Sequence, residues 1–329
     1  MEFTQEVQKA TDPIYQKISK VMPEIEWSVH APYIHKINKL KKEKNAVILA
    51  HNYQTPEIYH GVADFAADSL ALAVEASKTS ADIILMAGVH FMAETAKLMS
   101  PDKKVILPDM DAGCSLSSSI TGKDVRLLKE KYPGVPVVSY VNTSAEVKAE
   151  TDICCTSANA VKIVKSLGVK KVIFLPDDYL AKYVALQTDV EIISWKGICI
   201  VHDQFNEKEI HDIRKNNPGI KIIAHPECPP EVIKASDFAG STSGMIKYVQ
   251  DNQPKKVMMV TECSMSDNIQ VENPNVDFIK PCNMCPHMKK ITLPKILYCL
   301  ENETGEIIMD KETIEKARIS VEKMAAIGR

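Results

Sequence analysis

Two cysteines stand three positions apart in PCNMCPHM, Cys282 and Cys285. Zinc ribbons, redox disulfides and iron–sulfur proteins all use that spacing. The 329-residue chain has nine cysteines, an odd number spread over a long sequence. That pattern suits thiols, metal ligands or catalytic groups in a reducing compartment rather than a disulfide scaffold. Three of the cysteines recur at nearly one period. Cys114 in DAGCSLS, Cys199 in SWKGICIVH and Cys285 in PCNMCPHM are separated by 85 and 86 residues. Three equivalent loops meeting at one axis would bring three thiolates to one point. A structural zinc site is normally closed by four ligands, and a redox dithiol needs only Cys282 and Cys285. Three thiolates suit a [4Fe–4S] cluster with one iron left open, and an open iron is a Lewis acid. From spacing alone three readings stand: such a cluster, a zinc site, or cysteines acting as small buried hydrophobes.

The loops need strands to deliver them. From residue 46 onward short β-branched runs alternate with helical stretches. The runs are AVILA (46–50), DIILMAG (82–88), KVILPD (104–109), VPVVSYVN (135–142), KVIFLPD (171–177), EIISW (191–195), IKIIAHPE (220–227), KVMMVTE (256–262) and VDFIKP (276–281). Continuous apolar strands separated by helices indicate parallel sheets covered on both faces.

The strands repeat with the cysteines. AHNYQTPE, YVNTSAE and AHPECPPE each end a strand in polar residues and open a helix with a glutamate: Glu57, Glu146 and Glu231, spaced 89 and 85. The next strand ends run into GVHFMAE, CTSANAV and GSTSGMI, with Ser157 and Thr242 again 85 apart, as are Asp177 and Glu262. A repeat of this length means three α/β units rather than a solenoid. In the first unit LPDMDAGC runs straight from its third strand into Cys114, so that unit is expected to be one strand shorter or rearranged. The expected architecture is α/β: three pseudo-symmetric three-layer αβα domains with short parallel sheets around a central axis, plus terminal helices. The expected boundaries are 1–45 for N-terminal helices, 46–116, 117–203 and 204–290 for the units, and 291–329 for C-terminal helices. Val7, Ile14, Ile18 and Val21, then Tyr33, Ile34, Ile37 and Leu40, carry the helical spacing at the N-terminus. KLKKEKN (39–45) reads as a solvated helix end. LPKILYCLE and DKETIEKARISVEKMAAI are amphipathic and expected to pack outside, with the N-terminal helices.

Composition narrows the function. A net charge of −3 leaves no excess of Lys and Arg to neutralise phosphates, so nucleic acid is not an expected partner. Apolar runs such as DIILMAGV are too short to span a bilayer. The polar start MEFTQEVQKATDP has no apolar signal core, so no membrane association and a cytoplasmic location are expected. No GxGxxG or GxxxxGK[ST] stretch points to a dinucleotide site or P-loop.

HNYQ, FMAETAK, LPDMDAGCSL, YVNTSAEVKAETDICCTS-N, FLPD, HPEC, GSTSGM and CPHMK occur in order from about Ala50 to Leu293. Together they resemble the quinolinate synthase family of NAD biosynthesis. The resemblance implies three pseudo-symmetric α/β domains and a [4Fe–4S] cluster held by one cysteine from each. It implies condensation of iminoaspartate with dihydroxyacetone phosphate, losing phosphate and two waters, and a functional link to an L-aspartate-oxidising enzyme. The implied cluster ligands are Cys114, Cys199 and Cys285. Cys285 is preferred to Cys282 because CP-M is the family pattern and its separation from Cys199 is nearer the period; Cys282 remains a candidate redox partner for it.

Taken singly, Ser157, Ser241 and Thr242 read as helix N-caps, and each histidine as a structural hydrogen-bonding group. The resemblance makes Ser157, Ser241 and Thr242 a substrate grip at strand-to-helix turns, where free N–H groups attract anions. Ser69 joins them. Glu227 is the implied general acid/base, with Tyr53, His225 and His202 assisting and His51, Tyr140 and Asn142 binding substrate. Position supports this: His51, Tyr140 and His225 all fall at the end of the first strand of their unit, and ligands of parallel sheets bind outside the C-terminal strand ends. Met288 reads as core filler, and Glu94 and Lys97 as a helix-surface pair. Two other classes use similar residues. One is a hydro-lyase with the same open iron and no phosphate site. The other is a redox sensor responding through Cys282 and Cys285, for which no basic recognition helix is present.

Overall fold

A computed structural model describes residues 1–280 and 283–328. Its centre is three four-stranded parallel sheets. The first holds β1 (Ala46–His51), β2 (Phe65–Ala67), β3 (Ile83–Ala87) and β4 (Lys104–Ile106). The second holds β5 (Val137–Tyr140), β6 (Ile153–Cys155), β7 (Lys171–Leu175) and β8 (Glu191–Ser194). The third holds β9 (Lys221–Ala224), β10 (Phe238–Ala239), β11 (Lys256–Val260) and β12 (Asp277–Ile279). The strand orders are β2-β1-β3-β4, β6-β5-β7-β8 and β10-β9-β11-β12, one pattern used three times. The architecture is therefore the expected α/β one, three αβα units with terminal helices.

The expectation of a shorter first unit is wrong. The missing strand is β2, and the same edge strand was overlooked in all three units. β2, β6 and β10 are two or three residues long, too short to show an alternation. FAADS, not GVHFMAE, is thus the first-unit counterpart of CTSAN and GSTSG.

Central strands are buried beyond their first residue or two, β3 and β5 at every position, which explains their apolar sequence. The helices that follow start on side-chain caps: Asp68 to Ala71 N, Asp177 to Tyr179 and Leu180 N, Ser241 to Gly244 N, and Glu262 to Ser264 N. Each cap satisfies donors that a helix start leaves without intrahelical partners.

The first sheet, one face of the second and the terminal helices share one continuous apolar core. The other face of the second sheet packs a separate cluster with Val137, Ile173 and Leu175, and the third sheet packs two of its own. Helix Leu293–Asn302 lies against the N-terminal helix Glu24–Glu43, as expected. Helix Lys311–Ile327 does not. It packs on helices Ala145–Ala149 and His90–Met99 and on β6, closing the seam between the first two units. There Ser320 Oγ donates to Lys148 O at 3.0 Å. Lys41 is also not solvated: its ammonium is buried, 2.7 Å from Asp64 and donating to Val62 O at 2.8 Å. Among the described residues no helix is long and apolar enough to cross a membrane.

Candidate active site

Equivalent strand ends deliver equivalent residues. First strands end at His51, at Tyr140 and at Ala224, one residue before His225; the edge strands lead to Ser69, Ser157 and Thr242; the last strands lead to Cys114, Cys199 and Cys285. All of these except Ala224, with Tyr53, Asn142, His202 and Glu227, line one cleft. Ser241 does not line it. Its Oγ caps Gly244 N at 3.2 Å and shares a 3.1 Å hydrogen bond with Ser243.

The cysteine loops share one backbone geometry. Each cysteine carbonyl accepts the N–H four residues on: Ser118 to Cys114 O at 3.0 Å, Asp203 to Cys199 O at 3.0 Å, Lys289 to Cys285 O at 3.1 Å. Beside each thiol two backbone N–H groups favour its ionised form, those of Leu116 and Ser117, of Val201 and His202, and of His287 and Met288. A 3-10 turn follows every time: Ser117–Ser119, His202–Gln204 and Met288–Lys290. Successive N–H groups aimed at one atom form an anion nest. Burial opposes ionisation here. It pushes the Cys114 thiol to about 12 and raises Cys199 and Cys285, and Cys114 is an electrostatic neighbour of both others. Desolvated thiols with N–H donors, whose neighbouring lysines (Lys148 near Cys114, Lys289 near Cys285) do not offset burial, are a donor set suited to a metal–sulfur cluster, whose iron supplies further positive charge. The three residues fit such a group. Among the described residues no two cysteines are joined to each other in a disulfide. The proposed pairing of Cys282 lies outside the described residues.

Glu227 is the centre of the polar wall. Tyr140 Oη donates to its Oε1, and His202 Nδ1 lies 3.0 Å from its Oε2. Burial alone would lift this carboxyl. The His225 and His202 imidazoles and the hydrogen bonds from His202 and Tyr140 outweigh it, holding the carboxyl below its ordinary range. Tyr140 is raised well above an ordinary phenol by burial and by Glu227, so it remains a donor.

His51 and His225 repeat one device. Each accepts a backbone N–H on Nδ1 from two residues on, Tyr53 N at 3.2 Å and Glu227 N at 3.4 Å. The free proton of the neutral ring is then on Nε2, and in His225 that atom is 3.1 Å from Ser157 Oγ. Burial lowers His51 to about 4 and His225 to about 3, so both rings are neutral donors at pH 7. His202 stacks on His225 with centroids 4.8 Å apart. Its Nε2 is 3.0 Å from Thr261 Oγ1, which is itself 2.6 Å from Tyr53 Oη. Ligand atoms of Cys199, His202 and Glu227 lie within 4.8 Å of one another.

Thr261, Asn52 and Lys289 were not picked out from sequence. Asn52 Nδ2 donates to Thr242 Oγ1 at 2.9 Å. Lys289 holds Tyr53 O at 3.0 Å and the buried Glu262 at 2.9 Å. Asn52 and Lys289 stood inside HNYQ and CPHMK; Thr261 had one signal, its place beside the repeated Glu262. Glu94 and Lys97 are not a pair. Glu94 accepts Ala145 N at 3.0 Å, and Lys97 donates to Lys103 O at 2.8 Å. Met288 is buried at the edge of the cleft, its sulfur 3.5 Å from Gln54 Nε2.

Fold and site together define a triplicated α/β protein with a thiol-, imidazole- and carboxylate-lined cleft at the strand ends. The profile of the family described as Quinolinate synthetase A protein matches residues 35–326. Curated relatives named quinolinate synthase include one from Sinorhizobium fredii, 59% identical over 322 residues, 98% of this chain and 90% of that protein. One from Caulobacter vibrioides is 57% identical over 326 residues, 98% and 89% of the two chains. One from Xylella fastidiosa is 59% identical over 294 residues, 89% and 87%. The chain belongs to the quinolinate synthetase A family.

Proposed function

We propose that this chain condenses iminoaspartate with dihydroxyacetone phosphate to quinolinate, releasing phosphate and two waters, as a transferase-type step of NAD biosynthesis. Cys114, Cys199 and Cys285 would hold a [4Fe–4S] cluster. When bound, that group supplies an open iron acting as a Lewis acid toward a substrate oxygen. The observation that carries the reading is the threefold cysteine loop, with the same N–H pair beside each thiol in one cleft.

The chain's residues divide the remaining work. His51 and His225 offer Nε2–H donors to carboxylates or a carbonyl. Thr242, Ser157 and Ser69 face the same space and would take the phosphate or a second carboxylate, with Asn142 beside them. Ser241 acts behind them as a cap. Glu227 accepts and returns protons as general acid/base, with Tyr140 and His202 as its partners. Tyr53, joined to Thr261 and His202, is the second proton donor. The working units are taken as 46–116, 117–203 and 204–290, between terminal helices 1–45 and 291–329. A reducing cytoplasmic setting would keep the thiols free. The enzyme supplying the substrate must oxidise an amino acid to an imine, as an L-aspartate-oxidising enzyme does.

Anaerobic purification with iron and sulfide analysis tests the cluster. Four irons and four sulfides are expected, lost in Cys114→Ser, Cys199→Ser and Cys285→Ser and kept in Cys282→Ser. Formation of quinolinate from the two substrates tests the reaction. An iron-loaded protein that instead dehydrates a hydroxy acid without needing Thr242 would put it among the hydro-lyases.

A further inference from the structure

Two of the three cysteine loops are tied to each other by one side chain. Ser115, next to Cys114, donates its hydroxyl to Ile198 O at 3.0 Å and accepts Ile200 N–H on the same oxygen at 3.2 Å. Ile198 and Ile200 are the two neighbours of Cys199, so one hydroxyl brackets that cysteine from the adjacent loop. We propose that Ser115 is a positioning residue that sets the gap between Cys114 and Cys199 before any cluster arrives; this rests on the reading that these two residues are cluster ligands.

The repeat explains why the bracket occurs once among the described residues. The residues after the three cysteines are Ser115, Ile200 and Pro286. Ile200 has no hydroxyl to reach the third loop. Pro286 has no N–H to be accepted and no hydroxyl to offer. The third loop is held differently: Cys285 N donates to Glu262 Oε1 at 3.3 Å, and Lys290 Nζ donates to Asp111 O at 2.8 Å. Cys114 and Cys199 are therefore a stitched pair, and Cys285 closes on them from separate supports.

The test compares Ser115→Ala, Ser115→Thr and Ser118→Ala. Ser118 is the control because its hydroxyl bonds only within the first loop, to Cys114 O at 3.0 Å. In anaerobic iron-loaded protein, release of iron to a chelator is expected to be about fivefold faster or more in Ser115→Ala, the range of one net hydrogen bond. Ser115→Thr, which keeps the hydroxyl, and Ser118→Ala should release iron as the unsubstituted protein does. In cluster-free protein the alkylation rate of Cys199, followed by mass spectrometry against the buried Cys299 as internal reference, should rise in Ser115→Ala alone. Unchanged iron release and unchanged Cys199 alkylation in Ser115→Ala would overturn the proposal. An unsubstituted protein without iron would instead sink the cluster reading, and the alkylation measurement would still decide the bracket.

Discussion

Tyr140 and Glu227 belong to different units, yet the phenol of one donates to the carboxylate of the other at 2.5 Å. The bond spans the gap between the end of β5 and the turn after β9. Removing the donor in Tyr140→Phe leaves Glu227 with His202, so kcat should fall about tenfold, the scale of one charge-assisted hydrogen bond. Glu227→Gln removes the proton acceptor itself, and a loss of roughly 10²- to 10⁴-fold is expected for a general acid/base. Both variants should retain their iron. Steady-state rates beside iron analysis check this; a Glu227→Gln protein with normal kcat would take the acid/base role away from that residue.

Lys289 joins the third cysteine loop to the turn that carries Tyr53. Its ammonium meets Glu262 Oε1, Ser264 Oγ at 2.6 Å and the Tyr53 carbonyl. Glu262 is fully buried, and burial raises its carboxyl against the pull of Lys289. Lys289→Met would strand a buried charge, at a cost of about 3–5 kcal/mol. Adding Glu262→Gln removes that charge, so the double variant should recover much of the loss. Chemical denaturation midpoints of the two proteins measure the difference; equal midpoints would mean the pair contributes nothing.

Nine of the strands, the period and the cysteine set were legible because each is carried by repetition or by an apolar run in the sequence. The edge strands β2, β6 and β10 were not, since their two or three residues stand in FAADS, ICCTS and FAGST without the longer run (KVILPD, VDFIKP) that frames the equally short β4 and β12. The path of helix Lys311–Ile327 was hidden for another reason. Its amphipathic face shows that it packs, and only tertiary contact with β6 and Ala145–Ala149 shows where. Within the site, the strand-end histidines and Glu227 could be placed by position. Thr261 and Lys289 act through bonds between units, which linear spacing does not encode. Lys41 misled because a basic run usually means solvent, and its partner Asp64 lies outside the run.

Acid should weaken the cluster-free fold through its neutral histidines, the buried His51 and His225 and the half-buried His60. His60 is lowered to about 4, first by partial burial and then by Lys17, and among the described residues its Nε2 has no hydrogen-bond partner. An unfolded histidine titrates near 6.5. Between pH 6.5 and 4 the unfolded chain therefore binds the extra proton, and stability falls as pH drops. The contribution is complete above about pH 6.5 and lost by about pH 4. His60→Gln, which cannot titrate, should flatten part of that slope while His51 and His225 maintain the rest. Denaturation midpoints at several pH values follow it; a slope unaltered in His60→Gln would assign the acid sensitivity elsewhere.

Gly197 stands two residues before Cys199 and leaves no space for a side chain. A Cβ there would lie 2.5 Å from Pro176 O and 2.7 Å from Ser119 Oγ. The first of these is backbone, fixed by Gly197 N donating to Pro176 O at 3.0 Å and by Asp178 N donating to Gly197 O at 2.9 Å. Relief must come from the 197–199 segment, which moves the Cys199 thiol. Gly197→Ala should therefore cost about 1–3 kcal/mol of stability, as overpacking does, and also lower iron content. Gly168→Ala is the comparison. Its φ of +62° makes alanine strained, but no atom lies within 4 Å of the added carbon, so it should destabilise by about 1–2 kcal/mol and leave iron content alone. Equal iron in the two variants would show that the Cys199 loop tolerates the shift, and that its fixed approach to Pro176 is not needed to hold a cluster.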